Sequence, residues 1–219
     1  MRMLKVLLLA AGLAVGAQAY AADAPAAGTG PGEVVTTAAQ GMLKELDADR
    51  ATYKKDPAKV NALVEKYLLP HFDTEKAAQA VLGQHWRQAT PDQRKRFIDA
   101  FYHSLLNNYG TALVEFTSDR LKIFPVKMDS NATTATVRTE VKRDNGDRID
   151  VNYSMRKTAD GSWKAWDVVI SGISYVNSYR TDFDSQIDQQ GLDSVIARLE
   201  KGEKPAEISK TTSGGGKKS

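Results

Sequence analysis

The chain has 219 residues and no cysteine, which excludes disulfides, thiolate metal sites and lipid anchors attached through cysteine. Its formal charge of +3 is too small for a non-specific nucleic-acid-binding surface, so we expect no nucleic acid partner. Hydrophobic residues make up 42% of the chain and charged residues 26%, which is typical of a globular protein with one buried core.

The first 21 residues have the features of a secretory signal peptide. Arg2 and Lys5 provide a positive start, residues 6–15 form an apolar run, and small residues alternate up to Ala21 as at a cleavage site. The run is too short to span a bilayer, which takes about 20 residues. Cleavage would lower the 30 basic residues to 28, against 27 acidic ones. We therefore expect a soluble mature protein outside the cytoplasm.

Two more segments are predicted to lie outside the folded domain. Residues 22–32 are rich in proline, glycine and alanine and form a predicted linker. Residues 203–219 end in a run of Gly, Lys and Ser and form a predicted disordered tail. A single domain is therefore expected over residues 33–202.

The first half of this domain has helical periodicity. Apolar residues recur at three- and four-residue spacing from Val34 onward, and the same pattern returns after each of several capping signals. Aspartate or threonine starts a helix, whereas proline or glycine ends one. One predicted helix starts at Asp56-Pro57 and ends at Pro70, and the next starts at Asp73 and ends at Gly83. A third starts at the capping box Thr90 to Gln93, and a short helix follows Gly110.

The second half changes to a period of two, which predicts strands. Apolar and polar residues alternate over residues 135–141 and 149–156, with hairpin turns at Asn145-Gly146 and Asp160-Gly161. An earlier strand is expected over residues 121–126, and a third long strand should place Trp166, Val168 and Ile170 on one face. Helices follow this antiparallel meander, so the predicted fold class is α+β.

Residues capable of catalysis or metal binding show no recognisable arrangement. His71, His85 and His103 lack the spacing of metal ligands. Gly172-Ile173-Ser174 resembles the start of a nucleophile elbow, but Val176 stands where glycine is required. We therefore predict no catalytic residues, no cofactor and no metal. Taken alone, the apolar sheet face favours an ordinary packed core over a ligand cavity, because such apolar stripes normally serve packing.

An ordered set of segments resembles the MlaC (toluene-tolerance) family. The resemblance extends from about residue 34 to residue 199 and depends on the order of the segments, because no single one is specific. The segments are Tyr67 to Asp73, Val81 to Arg94, Phe97 to Phe101, Tyr109 to Leu113, Val151 to Tyr153, Trp163 to Val168, Ile170 to Ser174, Tyr179-Arg180 and Gly191-Leu192.

This resemblance implies a soluble periplasmic phospholipid carrier. Members of the family carry lipid between an outer-membrane lipoprotein complex and an inner-membrane ABC transporter complex, and so maintain outer-membrane lipid asymmetry. The implied fold is an NTF2-like curved antiparallel sheet packed against a helical layer, with an apolar lipid cavity between them. We expect a monomer that buries the acyl chains of a phospholipid and leaves the head group exposed.

Ten apolar residues of one helix and of the sheet are the expected lipid-binding residues. They are Phe97, Phe101, Leu105, Val137, Val151, Tyr153, Met155, Trp166, Val168 and Ile170.

Two alternative functions remain compatible with the sequence. One is an NTF2-like periplasmic enzyme acting on an apolar substrate, and the other is a lipid-free adaptor that binds partner proteins. The enzyme would need a polar pair in the cavity, for example Asp167 with Tyr153. However, strand alternation directs Asp167 away from the cavity.

Overall fold

The computed structural model describes residues 29–115, 117–143 and 145–205. The predicted signal peptide, residues 22–28 of the predicted linker and residues 206–219 of the predicted tail lie outside the described residues. The helices are α1 (Pro31–Ala48), α2 (Arg50–Lys55), α3 (Pro57–Tyr67), α4 (Thr74–Leu82), α5 (His85–Gln88), α6 (Pro91–Tyr109), α7 (Tyr175–Gln190) and α8 (Leu192–Glu200). Short 3₁₀ segments cover Leu69–His71, Gly110–Glu115 and Ser118–Arg120.

The caps predicted for α3 and α6 are confirmed. The side chain of Asp56 accepts a hydrogen bond of 3.1 Å from the backbone N–H of Ala58 at the start of α3. At the start of α6, the Thr90 hydroxyl accepts from the Gln93 N–H at 3.1 Å, and the Gln93 side chain accepts from the Thr90 N–H at 2.9 Å. These bonds satisfy backbone donors that a helix start otherwise leaves unpaired.

Helix α4 also begins and ends at the predicted residues. Asp73 accepts a hydrogen bond of 2.9 Å from the backbone N–H of Lys76, and Gly83 ends the helix with a φ of +53°. A Cβ at Gly83 would lie 2.9 Å from Nε of Arg180, so this position combines a backbone angle that favours glycine with a close approach.

Within the part of the chain that the structure describes, the sheet has five strands, and every neighbouring pair is antiparallel. In spatial order, which is also chain order, the strands are β1 (Leu121–Ile123), β2 (Thr134–Lys142), β3 (Arg148–Lys157), β4 (Trp163–Ile170) and β5 (Ile173–Ser174). Val137 lies opposite Tyr153, which lies opposite Val168, so these three residues share one face. The predicted α+β fold with a curved antiparallel sheet is confirmed.

A β-bulge in β4 corrects one sequence expectation. The register between β3 and β4 shifts between Ser154 and Met155. As a result, Ala165 pairs with Met155, and Trp166 lies opposite no residue of β3. Simple alternation placed Trp166 on the same face as Val168. Because the bulge inserts one residue, Ala165 occupies that face instead. Trp166 packs against the helical core formed by α4, α6, α7 and α8.

The helical core is built around stacked aromatic rings. Phe97 is stacked on Phe101 with ring centroids 5.5 Å apart, and Phe183 meets both rings edge to face at 5.4 and 5.6 Å. Tyr179 contacts Phe101 in the same way at 5.2 Å. This arrangement fixes α6 against α7. It leaves a different side of α6 facing the sheet and α1.

Candidate functional site

A cavity of about 310 Å³ lies between the sheet and helices α1, α3 and α6. Its remaining walls come from the 3₁₀ segment at residues 69–71, from Phe72 beside it, and from the chain that leaves α6. The lining residues are Val34, Val35, Ala38, Ala39, Val64, Leu68, Leu69, His71, Phe72, Tyr102, Leu105, Leu106, Tyr109, Gly110, Leu113, Tyr153, Met155, Ala165 and Val168.

The apolar lining follows from the periodicity of the elements around it. On α1, Val34 and Ala38 lie one turn apart and therefore point to the same side. On β3, Tyr153 and Met155 are two residues apart and share the inner face. Helix and strand stripes thus converge on one space. Among the described residues, those that line the cavity include no Asp, Glu, Lys or Arg.

Burial favours the neutral forms of His71, Tyr102 and Tyr153 in the lining. Burial lowers the pKa of His71 below its ordinary value, and the nearby charge of Lys164 lowers it further. Burial raises the pKa of Tyr102 and of Tyr153, because a phenolate would lose its hydration. Near neutral pH the cavity therefore carries no formal charge, which suits an apolar ligand.

Four of the ten predicted lipid-binding residues line this cavity: Leu105, Tyr153, Met155 and Val168. Phe97 and Phe101 do not. They lie on the side of α6 that packs into the aromatic core, and they are 0% and 7% exposed. Helix α6 is apolar on two sides, and the periodicity of its sequence predicted only a single apolar face.

The other four predicted residues also lie outside the lining. Val137 is fully buried beneath α1, in a cluster with Val34 and Met155. Val151 and Ile170 are cross-strand partners located one pair beyond Tyr153 and Val168 on the inner face, and each is half-buried. Trp166 is displaced by the bulge.

Sequence reasoning missed the contribution of α1, α3 and the 68–72 segment. Val34, Ala38 and Val64 belong to helical stripes that were visible in the sequence. Such a stripe shows that a helix is buried on one side but not which surface it covers. The parallel bridge between Phe72 and Ala165 brings the 68–72 segment to the cavity. No local sequence pattern predicts that contact.

Asp167, the carboxylate considered for a catalytic pair, does not line the cavity. It is 5% exposed and accepts hydrogen bonds from the Ser174 hydroxyl at 2.7 Å and from the backbone N–H of Val176 at 3.0 Å. Its oxygens therefore stabilise the start of α7. The prediction that it points away from the cavity agrees with this placement.

No group of three His, Asp or Glu side chains within residues 29–115, 117–143 and 145–205 is arranged to hold a metal ion. Over the same residues, no helix is both long enough and apolar enough to cross a membrane.

The model of the MlaC protein family matches residues 36–201. The chain belongs to this family. One MlaC relative is the intermembrane phospholipid transport system binding protein of Haemophilus influenzae, which is 25% identical over 78% of this chain and 81% of its own length. Another is the toluene tolerance protein ttg2D of Pseudomonas putida, which is 29% identical over 74% of this chain and 75% of its own.

A solved structure has the same fold. It is the phospholipid-binding protein of Ralstonia solanacearum, determined in complex with a phospholipid at 1.53 Å resolution. The TM-score is 0.73 and the sequence identity 26%, over 80% of this chain and 97% of the other. The family and fold implied by the sequence resemblance are thus confirmed.

Proposed function

We propose that this protein is a periplasmic phospholipid carrier of an intermembrane lipid transport system. The observation that carries the proposal is the uncharged, predominantly apolar cavity between sheet and helices. It is supported by the names of the relatives, one a phospholipid transport binding protein and one a phospholipid-binding protein with its ligand. The acyl chains lie in the cavity, and the head group stays exposed to water.

The physical requirement for a carrier matches this lining. Two acyl chains carry roughly thirty methylenes, and moving them out of water is worth about 24 kcal/mol. That exceeds the practical limit of non-covalent affinity, about 18 to 21 kcal/mol. A carrier must therefore exchange lipid with the bilayer rather than with water. A lining without formal charge makes the cavity similar to the bilayer interior. The free energy of moving lipid between cavity and bilayer is therefore close to zero in either direction.

The open side of the cavity indicates how the lipid is held. The space of about 310 Å³ is open to solvent on one side, so the acyl chains enter there and extend from the lining toward the exposed head group.

Location and partners complete the proposal. The signal-peptide features of residues 1–21 support export to the periplasm. We infer that the protein, as a monomer, receives or delivers phospholipid at an outer-membrane lipoprotein complex and at an inner-membrane ABC transporter complex, and so maintains outer-membrane lipid asymmetry. The proposed role includes no catalytic step, and Asp167, the carboxylate considered for one, is engaged at the start of α7.

A transfer assay tests the proposal. Purified mature protein is added to donor vesicles that contain a fluorescent phospholipid and to acceptor vesicles without it. The protein should accelerate transfer in proportion to its concentration, and an isolated protein–lipid complex should elute as a monomer. Transfer no faster than in buffer, with folded and delipidated protein, would contradict the proposed function.

A further inference from the structure

Tyr109, the last residue of α6, lies where the cavity lining meets solvent. Among the described residues that line the cavity, it is the only exposed one, at 37%. The preceding lining residues of α6 are more enclosed, since Leu105 is half-buried and Leu106 is 7% exposed. The open side of the cavity is therefore located at the C-terminal end of α6.

Tyr109 also lies beside the start of α7. Burial raises the pKa of Tyr175 and of Tyr179, and the proximity of Tyr109 raises both further. Tyr175 directly follows β5, which pairs with the end of β4. On β4, Val168 lines the cavity, whereas Ile170 is half-buried and lies outside the lining. The open side is thus bounded by the end of α6, the start of α7 and the last residues of β4.

The neighbours of Tyr109 connect it to the helical core. Tyr179 is 2% exposed and meets the ring of Phe101 edge to face at 5.2 Å. The ring of Tyr175 meets Tyr179 in the same way at 6.2 Å. Tyr109 therefore occupies a defined position between the packed aromatic rings and the open side of the cavity.

The chemistry of a tyrosine side chain suits such a boundary. Its ring is apolar and its hydroxyl is polar, and tyrosines are enriched at membrane interfaces, where hydrocarbon meets water. Tyr109 meets the same change of surroundings, with an uncharged lining on one side and solvent on the other. In a phospholipid, the corresponding boundary is the glycerol ester region, which joins the apolar chains to the charged head group.

We propose that Tyr109 contacts the glycerol ester region of the bound phospholipid and so sets how far the lipid enters the cavity. This inference rests on the proposed function and adds the residue that positions the ligand. The acyl chains lie inward from Tyr109, with the ring packed against them. The phosphate and the head group lie in solvent beyond it.

Nitroxide-labelled lipids measure this position, because a nitroxide quenches a fluorophore only at short range. The chain has no cysteine, so Tyr109→Cys provides a single site for a bimane label. The delipidated, labelled protein is saturated with phosphatidylcholine that has its nitroxide next to the ester, at the methyl end of an acyl chain, or on the head group. The nitroxide next to the ester should quench most strongly, and the one at the methyl end should quench least.

Thr136→Cys is the matched control for this experiment. Thr136 is exposed and precedes Val137, which is buried beneath α1, so a label at position 136 lies on the outer face of the sheet. None of the three lipids should quench it. Strongest quenching at position 109 by the methyl-end nitroxide, equal quenching by all three, or none with lipid bound would overturn the role of Tyr109. Failure of all three lipids to bind the folded protein would instead overturn the proposed function.

Affinity gives a second readout that does not depend on a label. Tyr109→Phe removes the hydroxyl and should weaken phospholipid binding about threefold, as for one modest hydrogen bond. Tyr109→Ala also removes the ring and should weaken binding about thirtyfold, because the contact with the chains is lost. Both delipidated variants should melt within a few degrees of the native protein, since Tyr109 is exposed. Native affinity in Tyr109→Ala would overturn the proposal.

Discussion

Filling the cavity from the sheet should prevent lipid binding without unfolding the protein. Val168 lies on the inner face of β4, pairs with Tyr153 and lines the cavity. In the substitution Val168→Trp, the indole ring would project into a space of about 310 Å³. The ring replaces empty volume in the lipid-free protein, so its burial offsets the strain that an added side chain causes in a packed core.

The loss of lipid affinity depends on how much of the acyl chains the indole ring excludes from the cavity. If the indole displaces about five methylenes of the acyl chains, the loss is about 4 kcal/mol at about 0.8 kcal/mol per methylene. This corresponds to about a thousandfold weaker binding. The phospholipid content of the purified variant should therefore fall to a small fraction of the native value.

Val151→Trp is the matched control, because Val151 lies on the same sheet face but outside the cavity lining. Phosphate analysis of organic extracts gives lipid per protein, and calorimetry of delipidated samples gives the melting temperature. Val168→Trp should lose lipid and keep its melting temperature within a few degrees, whereas Val151→Trp should keep its lipid. Native lipid content in Val168→Trp, or a large fall in its melting temperature, would refute the placement of the lipid.

Three further predictions concern stability and are measured by thermal unfolding of delipidated protein. Asp73→Ala removes both the cap of α4 and the ion pair with Arg156, so it should lower the free energy of unfolding by about 2 kcal/mol or more. Asp56→Ala removes only the cap of α3, so it should lower that free energy by about 1 kcal/mol. Equal losses in the two variants would contradict a stabilising role for the ion pair. Gly83→Ala should cost about 1 kcal/mol or more because φ is +53°, and an unchanged melting temperature would show that the backbone relaxes there. Burial lowers the pKa of His71 below its ordinary value of 6.5, so the fold loses stability as the pH falls below 6.5 and the buried imidazole must take up a proton. His71→Asn should therefore reduce the fall in melting temperature between pH 7.5 and 5.5. An identical pH profile in the two proteins would count against a lowered pKa of His71.

Features determined by neighbouring residues could be predicted from the sequence. The cap of α4 at Asp73, its end at Gly83 and the capping box at Thr90 depend on residues within one turn, so local spacing located them. The hairpins follow for the same reason, because turn residues separate two alternating segments. These features were sufficient to predict the α+β class and the antiparallel meander.

Features that depend on distant contacts could not be predicted. The bulge at Trp166 is set by pairing with β3, and one extra residue moved Ala165 onto the cavity face. Phe97 and Leu105 were assigned to one apolar stripe of α6, but Phe97 packs against α7 and Leu105 lines the cavity. Periodicity shows that a side chain is buried, whereas its neighbour is determined by tertiary packing.

We propose that the cavity holds phospholipid in the cell. Native mass spectrometry of the mature protein, purified from a periplasmic extract without detergent, measures this directly. We expect a complex of one protein with diacyl phospholipid, a chain that begins near residue 20 or 22, and release of the lipid into chloroform. A folded protein that carries no lipid, or that carries lipid in the same amount after Val168→Trp, would contradict it.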